Sequence, residues 1–289
     1  DMVKAWCEWV QEMNPAILAG HNIYHFDFPY LRYIANQANQ DLNLGRDGSK
    51  AKFSQFEAKF RVDGSRDLHY NKVNIYGREI CDTMFLAYKY DIGRKYQSYG
   101  LKPIIEVEGL QKKDRVFYDA GNIRHNYMIP EEWEKIKQYA MDDADDALAL
   151  YDLMVAPFFY MTQMFPRPFQ LLIESASGSQ LNGLMIRSYL QNRHSIPKAD
   201  DAVAFEGAIS FGEPGIYPNS VSLDIASLYP SIMLQYQVHS PKKDPAKNML
   251  KLLDYLRTER LKNKKLAKET GLELYKHLDT SQKLIINSL

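Results

Sequence analysis

Val221-Ser222-Leu223-Asp224-Ile225-Ala226-Ser227-Leu228-Tyr229-Pro230-Ser231-Ile232 is the stretch on which the reading of this 289-residue chain turns. Val221, Leu223 and Ile225 alternate, which is the period of a strand. Asp224 closes that apolar run. Pro230 and the serines then fix a turn whose backbone N–H groups can meet phosphate. An ordinary strand-to-helix turn with a capping Asp explains Asp224 as well, but not why Tyr229 stands directly before Pro230. A strand feeding a helix here, with helical spacing elsewhere, implies an α/β or α+β architecture.

Outward toward the C-terminus, residues 248–268 and 272–289 read as two helices joined at Thr270-Gly271, a Lys-rich hairpin. Arg260 and Lys264 are i, i+4 on the first helix, and Lys283 and Asn287 are i, i+4 on the second. Antiparallel packing would bring these four onto one wall suited to a polyphosphate, because Arg forks onto oxygens while Lys supplies point charge. Lys262, Lys265 and Lys268 read as solubilising surface, and charge alone fits that reading for the whole hairpin.

Outward toward the N-terminus, Tyr139-Ala140-Met141-Asp142-Asp143-Ala144-Asp145-Asp146-Ala147-Leu148 lies in a helical segment over 130–153, with Pro130 in its first turn. Tyr139 and Asp143 share a face. Ala140, Ala144, Ala147 and Leu148 form the expected packed side, which leaves Asp142, Asp145 and Asp146 to solvent. A half-buried carboxylate needs a compensating cation, and oxygen ligands suit Mg²⁺; a plain acidic helix is the alternative. Further upstream, Gly20-His21-Asn22-Ile23-Tyr24-His25-Phe26-Asp27 follows the apolar run Ala16-Ile17-Leu18-Ala19. Asn22 and Asp27 thus stand at the C-terminal end of a buried strand, where α/β folds place their sites. They would equally suit capping of the next helix. His21 and His25 sit on a turn and offer little metal geometry.

Residues 6–13, 28–38, 79–90 and 179–192 have helical spacing, and 39–75 form a polar excursion with a hairpin. Pro157, Pro166 and Pro168 suggest a boundary near 157–168. Hydrophobic residues make up 45% and charged residues 25%, as in globular proteins. No apolar run reaches the roughly 18–20 residues of a membrane span, so no membrane partner is expected. No secretory leader is visible, and both ends look like cuts through a longer protein. Cys7 and Cys81 form no C-x-x-C pair, which argues against a zinc or disulfide framework and for a reducing compartment. Net charge is zero, yet residues 242–283 hold twelve Lys/Arg against six Asp/Glu, while 141–152 hold five Asp and no base. Separate sites for anions and cations fit that split, as do two solvated faces.

Taken in order, these pieces resemble a family B DNA polymerase. Asn22-x-x-x-Phe26-Asp27 resembles the second exonuclease motif and Tyr139-x-x-x-Asp143 the third. Phe205-Glu206-Gly207-Ala208 is similar to the Y-x-G-G/A link between the two activities, with Phe for Tyr. Asp224-x-x-Ser227-Leu228-Tyr229-Pro230-Ser231-Ile232 matches polymerase motif A, and Lys283-x-x-x-Asn287-Ser288 the start of motif B. Gln97-Ser98-Tyr99-Gly100-Leu101 and Ser177-Gly178-Ser179-Gln180 also resemble family segments.

The resemblance implies a ribonuclease H-like 3′→5′ exonuclease domain over 1–160, a linker and partial palm over 161–240, and a two-helix fingers hairpin over 241–289. It implies template-directed DNA synthesis with proofreading, using Mg²⁺ or Mn²⁺, two ions per site. Asp27, Asp143 and Asp224 would be metal ligands, and with Tyr139 the catalytic set. Ser227, Leu228, Tyr229, Arg260, Lys264, Lys283 and Asn287 would bind nucleotide, with Tyr229 excluding a 2′-hydroxyl. Asn22, Phe26 and Gly207 would contact DNA. Partners would be primer-template DNA, deoxynucleoside triphosphates, and a sliding clamp or other replisome proteins, in a prokaryotic or virus-infected cytoplasm or a eukaryotic nucleus. The family's first exonuclease motif would precede residue 1 and motif C would follow residue 289, so the chain alone is expected to be inactive. An inactive paralogue serving as scaffold is the rival, although such a protein would be expected to lose its carboxylates first.

Overall fold

A computed structural model describes residues 2–62, 66–198, 200–201, 207, 209–223, 225 and 227–287. Helix α1 (Met2–Met13) buries Val3, Cys7 and Val10, spaced to share one face, and ends before Pro15. Strand β1 (Ile17–Gly20) and helix α2 (Asp27–Gln37) follow. Strands β2 (Lys52–Arg61) and β3 (Asp67–Asn74) form an antiparallel hairpin within the polar excursion. Strand β4 (Glu79–Asp82) pairs in parallel with β1, Gly20 opposite Asp82. Helices α3 (Thr83–Tyr90), α4 (Leu101–Glu108), α5 (Ala120–Asn126), α6 (Pro130–Met164), α7 (Phe169–Glu174) and α8 (Ser177–Gln191) come next. Then follow α9 (Leu228–Gln235), α10 (Asn248–Thr270) and α11 (Glu273–Ile286). Two compact units result, Asp1–Gln180 and Leu181–Leu289.

Three local expectations change. Residues 79–82 are a strand rather than the start of a helix: Ile80 and Cys81 are an apolar pair too short to fix a period, and β1 supplies the hydrogen-bonding partner. Pro157 does not break α6; it is buried inside the helix, and the stop comes at Phe165, before Pro166 and Pro168. Residues 220–223 and 225 form no strand, and Val221 and Leu223 are 80% and 90% exposed. Alternation makes a strand only where a neighbour takes up the backbone groups, and none of these described residues is paired.

In the first unit the core gathers around Phe85, whose ring stacks on Phe60 at 4.2 Å and meets Tyr24 and Tyr70 at 5.6 and 5.0 Å. In the second, α10 and α11 form the expected hairpin. Gly271 takes the left-handed conformation at the end of α10 (φ 69°), and its N–H donates to the Ala267 carbonyl at 3.1 Å. Leu250, Leu253 and Leu256 on α10, and Ile285 and Ile286 on α11, are buried.

Candidate active site

Because β1 and β4 are parallel and in register, their C-terminal ends lie side by side. A Cβ on Gly20 would lie 2.3 Å from Ile23 Cγ2, so any other residue there would force the Ile23 side chain to shift. Asn22 adopts φ 61°, a left-handed conformation that Asn tolerates. The turn is tied down from β4. The Asp82 carboxylate accepts from the backbone N–H of Asn22 (2.8 Å), Tyr24 (3.4 Å) and Met84 (3.0 Å), the last as N-cap of α3. Burial pushes the Asp82 carboxyl up to about 7; the three N–H groups pull against that rise and the nearby Asp27 charge adds to it. The His21 ring joins the same turn to two further segments, with Nδ1 2.9 Å from Thr83 Oγ1 and Nε2 2.9 Å from the Tyr99 carbonyl. Burial lowers the His21 pKa, although the Tyr99 carbonyl acts in the other direction.

So held, the turn presents Phe26 and Asp27. Phe26 is 67% exposed and stacks on Tyr30 at 6.2 Å. Asp27 does not cap α2. Phe26 takes the N-cap position without a side-chain bond, and Asp27 is the first helical residue, at the positive helix end. The Asp27 side chain is exposed, yet enough protein crowds its carboxyl for desolvation to raise its pKa.

The acidic helix is turned the other way from expectation. Asp142 and Asp146 are buried at 3% and 2% exposure, while Ala140, Ala144 and Leu148 face out. Compensation from 112–116 makes this affordable. Asp142 accepts from the Val116 N–H (2.8 Å) and from Gln138 Nε2 (3.0 Å), and the Val116 bond holds its carboxyl below the usual range. Arg115 Nε donates to Asp146 Oδ2 at 2.7 Å, and Arg115 Nη2 pairs with Asp143. Lys112 pairs with Asp145. Asp143 is half-buried, and Tyr139 lies on the same face, its ring centroid 6.0 Å from the Arg115 guanidinium carbon. Lys102 Nζ donates to the Tyr139 hydroxyl at 2.8 Å.

A cleft of about 690 Å³ opens beside the turn, lined by His21, Asn22, Phe26, Arg66, Tyr99 and Leu101, among others. Its wall includes Tyr88 stacked on Tyr99 at 3.8 Å, with the Arg66 guanidinium 5.6 Å from the Tyr88 ring. Aromatic faces beside a guanidinium suit unpaired nucleobases and their phosphates. His21 was weighed from the sequence only as a metal ligand, and Asp82, Lys102 and Arg115 were not among the residues the sequence singled out; of these three only Asp82, directly before Thr83 at a helix start, carried a local signal as a cap.

In the second unit, Tyr229 lies on α9 at 73% exposure, with Pro230 buried beside it. Ser227 precedes α9 in the left-handed conformation (φ 55°), and Leu228 is 40% exposed. Arg260 Nε donates to Asp279 Oδ1 at 3.0 Å across the α10–α11 hairpin, and Arg260 Nη1 lies 3.5 Å from Ser227 Oγ. Lys264, Lys283 and Asn287 are exposed. Since Asp279, Lys283 and Asn287 follow at four-residue steps, the Arg260–Asp279 pair sets the Arg260–Lys264 stripe beside theirs at one end. Gly207 is exposed; Phe205, Glu206, Ala208, Asp224 and Ser288 lie outside the described residues.

Asp27 and Asp143 offer the hard oxygens a Mg²⁺ ion takes, and such ions are held by one or two carboxylates together with substrate phosphate and water. Among the described residues no three His, Cys, Asp or Glu gather as a preformed metal cage. The oxygen donors of Asp27 and Asp143 are of the kind such an ion takes, and Asp143 is paired with Arg115. No helix among the described residues is long and apolar enough to cross a membrane.

Residues 1–104 match the model of the DNA polymerase family B exonuclease domain. A DNA polymerase of Desulfurococcus sp. (strain Tok) is 26% identical over 249 residues, covering 82% of this chain and 30% of that protein. The DNA polymerase delta catalytic subunit of Caenorhabditis elegans is 28% identical over 282 residues, covering 89% of this chain and 24% of that protein. The chain thus spans less than a third of the length of these relatives. The structure of the family B DNA polymerase from the hyperthermophilic archaeon Pyrobaculum calidifontis superposes with a TM-score of 0.75 at 19% identity, covering 99% of this chain and 40% of that one. The resemblance to family B DNA polymerases is borne out, and the fold is a mixed α/β one that includes the family's ribonuclease H-like exonuclease domain.

Proposed function

We propose that this chain, similar to family B DNA polymerases over most of its length, carries a 3′→5′ exonuclease site in its first unit and part of a DNA-synthesis site in its second. The observation that carries the reading is the Asn22–Asp27 turn, fixed by Asp82 and opening on an aromatic cleft that holds Arg66. In excision, a water oxygen bonds to the phosphorus of the last primer nucleotide and the bond to the neighbouring 3′ oxygen breaks. The products are a nucleoside monophosphate and a shortened primer with a free 3′-hydroxyl. Phe26 stacks on the terminal base, Asn22 contacts the strand, and Tyr139 orients the water. Asp27 and Asp143 would hold Mg²⁺ or Mn²⁺, which supplies Lewis-acid charge at the phosphate.

In synthesis, Arg260, Lys264, Lys283 and Asn287 hold the triphosphate of an incoming deoxynucleotide, together with the backbone near Ser227 and Leu228. Tyr229 lies under its sugar, Asp224 would be a metal ligand, and Gly207 belongs to the link between the two activities. Primer-template DNA is the shared substrate, and a sliding clamp or other replisome protein is a further partner of the full-length protein. The test is Asp143→Asn in the full-length protein with a labelled primer. Excision should fall by about a hundredfold or more while extension is kept. Loss of both activities with the fold intact, or of neither, would overturn the division into two sites.

A further inference from the structure

Lys102 is the second residue of α4, directly after the cleft-lining Gly100 and Leu101. Its ammonium lies 2.8 Å from the Tyr139 hydroxyl and 4.5 Å from the ring centroid. The neighbouring cations Lys112 and Arg115 are both neutralised by carboxylates. Lys102 differs: among the described residues no carboxylate pairs with it, and its one polar contact is the phenol. An ammonium has three protons to donate and accepts none, so in this contact the phenol oxygen is the acceptor. The phenol's own proton is then left for a different acceptor, and no described residue takes it.

We infer that Lys102 positions Tyr139 for excision, holding the phenol oxygen so that its O–H is directed at the attacking water or a phosphate oxygen. This rests on the excision reading above. The arrangement sets both the place and the polarity of the hydroxyl. It also keeps an uncompensated positive charge beside the point where negative charge develops as water adds to phosphorus. The cation–π contact holds the ammonium over the ring, so the pair moves as one unit. Lys102 acts through Tyr139 and is a positioning residue rather than a catalytic one.

The experiment uses the full-length protein and single-turnover excision of a labelled single strand, for wild type, Lys102→Met, Lys102→Arg, Tyr139→Phe and the Lys102→Met/Tyr139→Phe double variant. Lys102→Met should lower the rate at saturating DNA by about tenfold to a hundredfold with little change in KM. The double variant should be no slower than the slower single one, because the two residues act in series. Lys102→Arg, which still donates, should recover most of the rate. Lys102 is exposed, so its loss should not unfold the chain, and primer extension serves as the control. With tyrosine labelled at ¹³Cζ, the resonance absent from Tyr139→Phe should shift in Lys102→Met. Wild-type excision matched by Lys102→Met, or two single losses that multiply in the double variant, would overturn the role of Lys102 and leave the excision site standing. A wild type that does not excise at all would overturn the excision reading, and this inference with it.

Discussion

In residues 1–180 the groups around the candidate site are tied to partners far along the chain. Asp82 reaches Asn22 and Tyr24 across 60 and 58 residues, and the Tyr24 hydroxyl reaches Glu174 across 150. In residues 181–289 the ties span shorter stretches, 33 residues between Arg260 and Ser227 and fewer across the hairpin. Arg260 meets Asp279 and Asn263 meets Gln282, each 19 residues on, while Tyr229, Lys264 and Lys283 stand exposed. Long ties enclose polar groups away from water, where each must be satisfied, so a single lost partner is felt throughout the fold. Where charges stand exposed, as at Lys264 and Lys283, a lost partner is replaced by water. The first unit should therefore be brittle under substitution at its polar residues, and the second tolerant in stability but sensitive in ligand binding.

The sharpest way to break that contrast is Asp82→Ala. It strands three backbone N–H groups and should cost about 4 kcal/mol, seen as faster amide hydrogen exchange over 1–180 alone, with excision lost. An unchanged exchange pattern and normal excision would end the argument that Asp82 fixes the turn. Asp82 also gives the contrast a pH signature. Its folded pKa of about 7 lies above the usual carboxylate value, so the folded state binds the extra proton. The stability this contributes is present at pH 4 and is lost as pH rises toward 7. Asp82→Asn should flatten that slope in unfolding followed across the range, and a slope that persists would assign it to another group.

Glu174→Ala comes next. Glu174 is buried and accepts from Tyr24 and Gln170 while pairing with Lys72 at 2.6 Å. Removing it should cost about 3 kcal/mol, again confined to the first unit, as proteolysis of 1–180 against 181–289 would show. In the second unit, Arg260→Ala should leave stability nearly unchanged and raise KM for nucleotide about tenfold, the scale of one charge-assisted hydrogen bond. A large loss of stability there with KM unchanged would invert the comparison. Smallest is Lys265→Ala, which breaks an exposed pair with Glu269 at 3.7 Å. Thermal unfolding should move by no more than about 0.5 kcal/mol.

What could be read in the sequence follows the same division. The hairpin of α10 and α11 was legible because its signals are local: helical spacing on both sides of Thr270-Gly271, with a glycine where a left-handed residue is needed. Tyr139 and Asp143 were legible as a shared face for the same reason. The burial of Asp142 and Asp146 was not, because the donors that make it tolerable, the Val116 N–H and Arg115, lie 26 and 31 residues upstream of them. A run of alanines is the better packed face until those partners are known. Asp82 was hidden for a similar reason. Its place at the turn depends on the parallel pairing of β4 with β1, and residues 79–82 do not declare themselves a strand without it.

Pro157 gives α6 a mechanical character. The helix is 35 residues long, about 50 Å from end to end. Proline has no N–H, so the Leu153 carbonyl lacks the rung that every other interior turn possesses. A rod with one rung removed is stiff along both arms and compliant at the gap. The arm before it carries Tyr139, Asp142, Asp143 and Asp146, braced by Arg115, and should move as one piece. The arm after it carries buried Phe158 and Met161 and is anchored in the core. Bending strain that reaches α6 from either end is absorbed at residues 153–157, and the spacing of the acidic residues is insulated from it.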